Sequence, residues 1–268
     1  MEWQSNFFAI NLILKSCFIN MEPSYYDKQL NLLNEGKTYE FAQNILNRAR
    51  RLISRGQHAE SIDIALRAAL ELLKRQTIPN ELLDIIVQTS QNSPPNSDLI
   101  EEIYSHLSAP NDIAFLKKLC KNCPDPKIYA LIARALDDSG DLGKSLLYWI
   151  GAGSYREIIR ILQILIDRGY PGEIDLFVCR TVLILLSFKN LSLAQHIIGE
   201  FKYVDTPLLN FTRFLIQALD VKEFSLVGIL KERYAPTLQR DLNLIKYLEH
   251  VEKAFSAEAP NYIPNILD

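Results

Sequence analysis

Between Thr38 and Arg55 the apolar side chains Phe41, Ala42, Ile45, Leu46, Ala49, Leu52 and Ile53 recur at intervals of three and four. A helix of 3.6 residues per turn brings such positions onto one side, so the spacing predicts an amphipathic helix. Gly36 stands before this run and Gly56 after it. From Gln57 to Arg75 the pattern repeats with Ile62, Ala65, Leu66, Ala69, Leu72 and Leu73. Two helices joined by a glycine-containing turn make an antiparallel hairpin. The same periodicity continues through ELLDIIVQTS, SDLIEEIYSHL, NDIAFLKKLC, KIYALIARALDD, LGKSLLYWIGA and YREIIRILQILIDRG. Alternating β-branched runs bounded by hairpin dipeptides such as Asn-Gly do not occur, and prolines fall between the apolar runs, where they start or stop helices. The chain is expected to be all-α with short connections.

One stretch breaks the amphipathic rule. From Gly172 to Asn190, GEIDLFVCRTVLILLSFKN is apolar on nearly every side. A membrane span needs about 20 apolar residues, because the hydrocarbon core is roughly 30 Å thick. This run is shorter, and Arg180 in its middle would cost about 3 kcal/mol or more at the bilayer centre. The expectation is a helix covered on most sides by other helices.

Internal repetition suggests how it is covered. Gly56-x-His58-x-x-Ser61 and Gly140-x-Leu142-x-x-Ser145 each put a glycine at a turn and a small residue one turn into the next helix. This is similar to the G-x-Y-x-x-A step of tetratricopeptide repeats, in which the small residue lets paired helices approach closely. Successive hairpins of this kind predict a right-handed α-solenoid of tetratricopeptide-like hairpins, whose inner helices are flanked on several sides.

Composition narrows the function classes. The chain has 268 residues, 48% hydrophobic, with 29 Lys and Arg against 32 Asp and Glu, so no basic field favours nucleic acid. Cys17, Cys120, Cys123 and Cys179 are the only cysteines. Cys120 and Cys123 form a C-x-x-C without a second ligand pair or a thioredoxin-like context, which predicts reduced thiols and no metal. His58, His106, His196 and His250 are scattered, and phosphate-binding, zinc-protease and serine-hydrolase motifs are missing. No catalysis and no cofactor are expected. The first 20 residues carry Glu2 where a secretory signal would carry a base, so residues 1–20 are expected to be a leader foreign to the fold, with Met21 the functional start.

The residues also carry a family resemblance. EGKTYEFAQNILNRARRLISRGQHAESIDIA resembles the first helical hairpin of the Golgi-to-ER traffic protein four family, which has G-D-Y-Y-E-A-H-Q followed by a basic, aromatic helix. Glu173 to Val178, the Phe188-Lys189-Asn190 turn, Pro207-Leu208-Leu209-Asn210-Phe211 and YAPTLQRD from Tyr234 to Asp241 resemble its later helices in the same order. Lys37-Thr38 replaces the family's Asp-Tyr, and the KYVDT connection before Pro207 is shorter than its usual loop.

The resemblance implies a cytosolic, non-enzymatic scaffold in the targeting of tail-anchored proteins to the ER. Its N-terminal half, residues 21–152, would dock a targeting ATPase. Its C-terminal half, residues 153–268, would hold a ubiquitin-like adaptor, which recruits a glutamine-rich co-chaperone carrying the client. The alternative is another helical-repeat adaptor of a trafficking or proteasome-lid-like complex.

Two surfaces are expected to carry these contacts. Arg48, Arg51 and Arg55 share a stripe beside the apolar face of their helix, suited to an acidic partner. With Tyr39 they are the ATPase-docking residues that the resemblance implies. From Thr206 to Asp220 the polar residues make only a narrow stripe, leaving apolar surface that needs a cap from the chain's last helices, a partner, or both. The adaptor is accordingly expected on Phe201, Tyr203, Leu208, Leu209, Phe211, Phe214 and Leu215.

Overall fold

In the computed structural model the described residues are 23–107 and 111–256. The leader and Met21 lie outside them. The chain divides into two compact units, Met1–Pro124 and Asp125–Asp268.

The first unit contains α1 (Pro23–Asn34), α2 (Thr38–Ser54), α3 (His58–Lys74), α4 (Asn80–Thr89), α5 (Ser97–His106) and α6 (Asn111–Asn122). Helix α3 is its centre. It packs on α2, α4 and α5, and Ile62, Ile64, Leu66 and Leu72 on it are buried. At about 1.5–3 kcal/mol for each large apolar side chain removed from water, this helix anchors the unit. Polar pairs fix the outer helices: Asn44 of α2 donates to Gln29 of α1 at 2.8 Å, and Asn122 of α6 donates to the Val87 carbonyl at 2.7 Å.

The second unit contains α7 (Pro126–Asp138), α8 (Leu142–Ala152), α9 (Tyr155–Arg168), α10 (Ile174–Ser187), α11 (Leu191–Glu200), α12 (Pro207–Asp220), α13 (Ser225–Arg233), α14 (Ala235–Leu238) and α15 (Leu242–Phe255). The apolar stretch is α10, and α8, α9, α11, α12 and α15 all pack against it. That explains its lack of a polar face: Val178, Cys179 and Val182 through Leu186 are buried. Among the described residues no helix is long and apolar enough to cross a membrane. Arg180 escapes burial at the rim, where its Nε donates to Asp241 at 2.6 Å. Asp175, which is buried, accepts from both terminal nitrogens of Arg240 at 2.7 and 3.2 Å. These two pairs clamp the start of α15 onto α10.

The repeat seen in the sequence is physical. Ser61 and Ser145 are fully buried, and each hydroxyl donates, at 3.1 Å, to the carbonyl twelve residues earlier, Ala49 and Ala133. Each hairpin thus satisfies its small polar residue on the opposing helix backbone, which requires close approach. The preceding turns are alike as well. Seven helix ends among the described residues close with a left-handed residue: Gly36, Gly56, Gln76, Gly140, Gly153, Lys189 and Lys222. At Gly56, for example, its own N–H bonds the Ile53 carbonyl and the next N–H bonds the Leu52 carbonyl, a Schellman closure.

Gln76, Lys189 and Lys222 adopt this conformation against their side-chain preference, near φ 60°. Gln76→Gly is therefore expected to stabilise the protein by about 0.5–1 kcal/mol, whereas Gly56→Ala should destabilise it by about 1 kcal/mol or more. Denaturant midpoints of the two variants check the pair, and a loss of stability in Gln76→Gly would contradict the strain.

Candidate docking surfaces

On the first unit, α2 divides the residues expected to meet the ATPase between two faces. Arg51 and Arg55 are exposed. Arg48, expected to be exposed like them, is half-buried because its guanidinium reaches Glu60 of α3 at 3.3 Å. Tyr39 precedes Arg48 by nine residues and so, at about 100° per residue, lies roughly half a turn around the helix. It is 75% exposed and, with Ala42, Gln43, Thr77 and Ile78, lines a groove of about 390 Å³ beside α4. Ile78, also exposed, is a docking candidate that helical spacing does not single out, because it sits in the turn before α4 and outside any helical period.

On the second unit the expected surface on α12 needs correction. Leu208, Leu209, Phe211 and Leu215 are fully buried, because α12 packs on α10, α11, α13 and α14. The Phe211 ring lies 5.7 Å from that of Tyr234. Phe201 is buried too. The cap for this apolar surface is thus the chain itself, and these five side chains are core.

Two of the expected residues do face solvent: Tyr203 at 71% exposure and Phe214 at 48%. Tyr203 stands on the short connection before α12, which Arg213 staples. The guanidinium donates to the Phe201 carbonyl at 3.2 Å, the Val204 carbonyl at 3.0 Å and the Asn210 side-chain oxygen at 2.8 Å. A connection this short holds its shape through one side chain. Arg213→Ala is expected to cost about 1–3 kcal/mol by stranding those acceptors, and to raise amide exchange across Lys202–Asp205. Unchanged exchange there would mean the loop is held by something else.

Phe214 opens onto a groove of about 240 Å³ between α12 and α13, lined also by Gln217, Val221, Leu226, Ile229 and Leu230. Val221, Leu226 and Ile229 are exposed. The sequence held a signal for them: SLVGILKER has more apolar positions than one face of a short helix can bury, and of these Val227 is the one buried.

Little else among the described residues offers reactive chemistry. Cys120, Cys123 and Cys179 are thiols that no disulfide joins, and burial pushes Cys179 up to about 12, so it stays protonated at neutral pH. Among the described residues no group of three or more His, Cys, Asp or Glu is placed to hold a metal ion. Asp137 serves the fold, sharing the Ser145 hydroxyl proton with the Ala133 carbonyl and accepting from Arg160 and from the Trp149 indole N–H at 3.3 Å, and so joining α7, α8 and α9.

Fold and surfaces together define a helical-hairpin repeat protein with an exposed groove on each compact unit, the one between α12 and α13 mainly apolar. A profile of the family described as Golgi to ER traffic protein 4 matches residues 36–267. The Golgi to ER traffic protein 4 homolog of Oryzias latipes is 26% identical over 263 residues, covering 87% of this chain and 80% of that protein. The human homolog is 23% identical over 248 residues, covering 85% and 72%, and that of Dictyostelium discoideum is 23% identical over 243 residues, covering 82% and 79%. The fold matches the crystal structure of C. therm. Get4 with a TM-score of 0.58 at 19% identity, over 87% of this chain and 88% of that one. The fold is thus the α-solenoid of that protein. The chain belongs to the Golgi to ER traffic protein 4 family, and that membership supports a role in Golgi-to-ER traffic.

Proposed function

We propose that this chain is a non-enzymatic cytosolic scaffold that bridges a targeting ATPase and a ubiquitin-like adaptor during delivery of tail-anchored proteins to the ER membrane. The observation that carries the reading is the extent of the family match, residues 36–267, which spans both compact units. The first unit offers two faces of α2 to the ATPase: Arg51 and Arg55 with Arg48 behind them, and Tyr39 with Ile78. The second unit offers Tyr203 and the α12–α13 groove to the adaptor, so the adaptor site moves from the buried face of α12 to its open one. The adaptor in turn brings the glutamine-rich co-chaperone and its client, and the scaffold touches neither nucleic acid nor the bilayer interior.

The test is reconstitution of the full chain with the ATPase and adaptor of its own organism. Arg51→Glu with Arg55→Glu is expected to weaken ATPase binding about tenfold at low ionic strength, with a smaller difference at high salt, and to leave adaptor binding unchanged. Both positions are exposed, so stability should move by about 0.5 kcal/mol or less per site. ATPase binding at wild-type affinity in the double variant would remove this face from the interface, and failure of both partners to bind wild type would remove the reading itself.

A further inference from the structure

The C-x-x-C of the first unit takes no part in the docking surfaces, and the fold gives its two thiols unequal places. Cys120 lies in the last turn of α6 and is buried, as are Phe115, Leu116 and Leu119, whereas Cys123 stands one residue past the helix end and is half-exposed. Helix α6 packs chiefly on α4. Between the cysteines, Asn122 ties the two helices: its side-chain amide donates to the Val87 carbonyl at 2.7 Å, and its side-chain oxygen accepts from Gln91 at 3.3 Å. A shift in the last turn of α6 therefore pulls on its polar link to α4.

The backbone brings the two cysteines near bonding distance without joining them. The Cys123 N–H still donates to the Leu119 carbonyl at 2.9 Å, so helical spacing persists from Cys120 to Cys123. Side chains at i and i+3 on a helix have Cβ atoms about 5–6 Å apart, and a disulfide needs about 3.5–4.5 Å. Closing that gap means drawing Cys123 out of the helical turn and giving up its bond to Leu119. The sequence eases that step. Pro124 follows, and the residue before a proline is disfavoured in the helical region and favoured in extended ones. Pro124 itself has no N–H, so the turn has no further donor there to lose.

We propose that Cys120 and Cys123 form a reversible intrachain disulfide that unlocks the end of α6 from α4, a thiol–disulfide latch within the first unit. The oxidant is a low-molecular-weight disulfide, glutathione disulfide. The Cys123 thiolate, reachable from solvent, attacks one sulfur of it, forming a mixed disulfide and releasing the first glutathione thiolate. The Cys120 thiolate then attacks Sγ of Cys123, forming the intrachain bond and expelling the second glutathione. Two electrons pass to glutathione disulfide, and the two thiol protons end on two molecules of glutathione. Ring closure displaces Asn122 from Val87 and Gln91. The strain of that displacement makes the bond easy to reduce, so excess glutathione restores the dithiol.

The test uses the full chain carrying Cys17→Ser, which leaves the described residues unchanged. Trypsin cuts after Lys118, Lys121 and Lys127, so residues 119–121 and 122–127 leave the dithiol as separate peptides and the disulfide as a joined pair. After treatment with glutathione disulfide the joined pair is expected, with amide exchange across residues 87–91 and 119–123 raised at least about threefold, and excess reduced glutathione should reverse both. Cys120→Ala is expected to stop at a glutathione adduct on Cys123. Cys123→Ser, at a half-exposed position, is expected to take up no glutathione on Cys120 and to show no rise in exchange, and it keeps the order of attack testable should Cys120→Ala fail to fold. Absence of the joined pair would overturn the disulfide, and a joined pair that excess glutathione does not cleave would overturn its reversibility. A joined pair with exchange unchanged at residues 87–91 would overturn the latch. A glutathione adduct on Cys120 in Cys123→Ser would overturn the order of attack.

Discussion

Phe211→Asp is expected to unfold the second compact unit. The ring is fully buried in α12 beside Tyr234, and removing a buried aromatic side chain costs about 3–5 kcal/mol from lost packing alone. A carboxylate left without a partner in that site adds several kcal/mol more. Together these reach the whole stability of an ordinary domain, about 5–15 kcal/mol. The measurement is helicity by circular dichroism together with limited proteolysis, in which fragments from residues after 125 should disappear while the first unit persists. A folded Phe211→Asp protein with near-normal melting would mean that α12 does not pack as described, and would make its apolar face available to a partner again.

Phe214 lies three residues further along the same helix, and the expected effect of changing it is of another kind. Phe214→Asp combined with Ile229→Asp should leave the fold intact, because both side chains are about half exposed and each carboxylate has water to solvate it. Adaptor binding is expected to fall at least about a hundredfold, since large apolar side chains at the centre of an interface typically carry 2–4 kcal/mol each. Titration of the adaptor by calorimetry, with circular dichroism as the control, reads both halves of this expectation. Adaptor binding at wild-type affinity in the folded double variant would leave Tyr203 and the stapled connection as the site to test next.

The contrast between Phe211 and Phe214 also marks the limit of what periodicity reveals. Helical spacing in α12 correctly placed a narrow polar stripe along Thr206, Asn210, Arg213 and Gln217, yet it could not tell which of the remaining apolar faces the chain would cover. That depends on α10, α11, α13 and α14 arriving from other parts of the sequence. Arg48 shows the same limit in reverse. Its place on the arginine stripe was legible, but its pairing with Glu60 required the α2–α3 hairpin to close. Likewise Tyr39 shares a helix with the arginines and still faces another groove, because nine residues carry it to the other side.

The sequence by itself determined the elements and their turns. Apolar spacing specified the helices, prolines and glycines many of their ends, and the Gly56–Ser61 and Gly140–Ser145 steps the close pairing of hairpins, since these are local properties written within one or two turns of chain. It also ruled out a spanning role for the Ile174–Ser187 helix, through its length and Arg180. Only the tertiary structure decided which five helices surround that segment, that Arg180 meets Asp241 and Asp175 meets Arg240 more than sixty residues away, and that the open apolar groove lies between α12 and α13. The physical reason is that burial is a property of the assembled neighbours: an apolar side chain has the same local signature whether another helix or only water covers it.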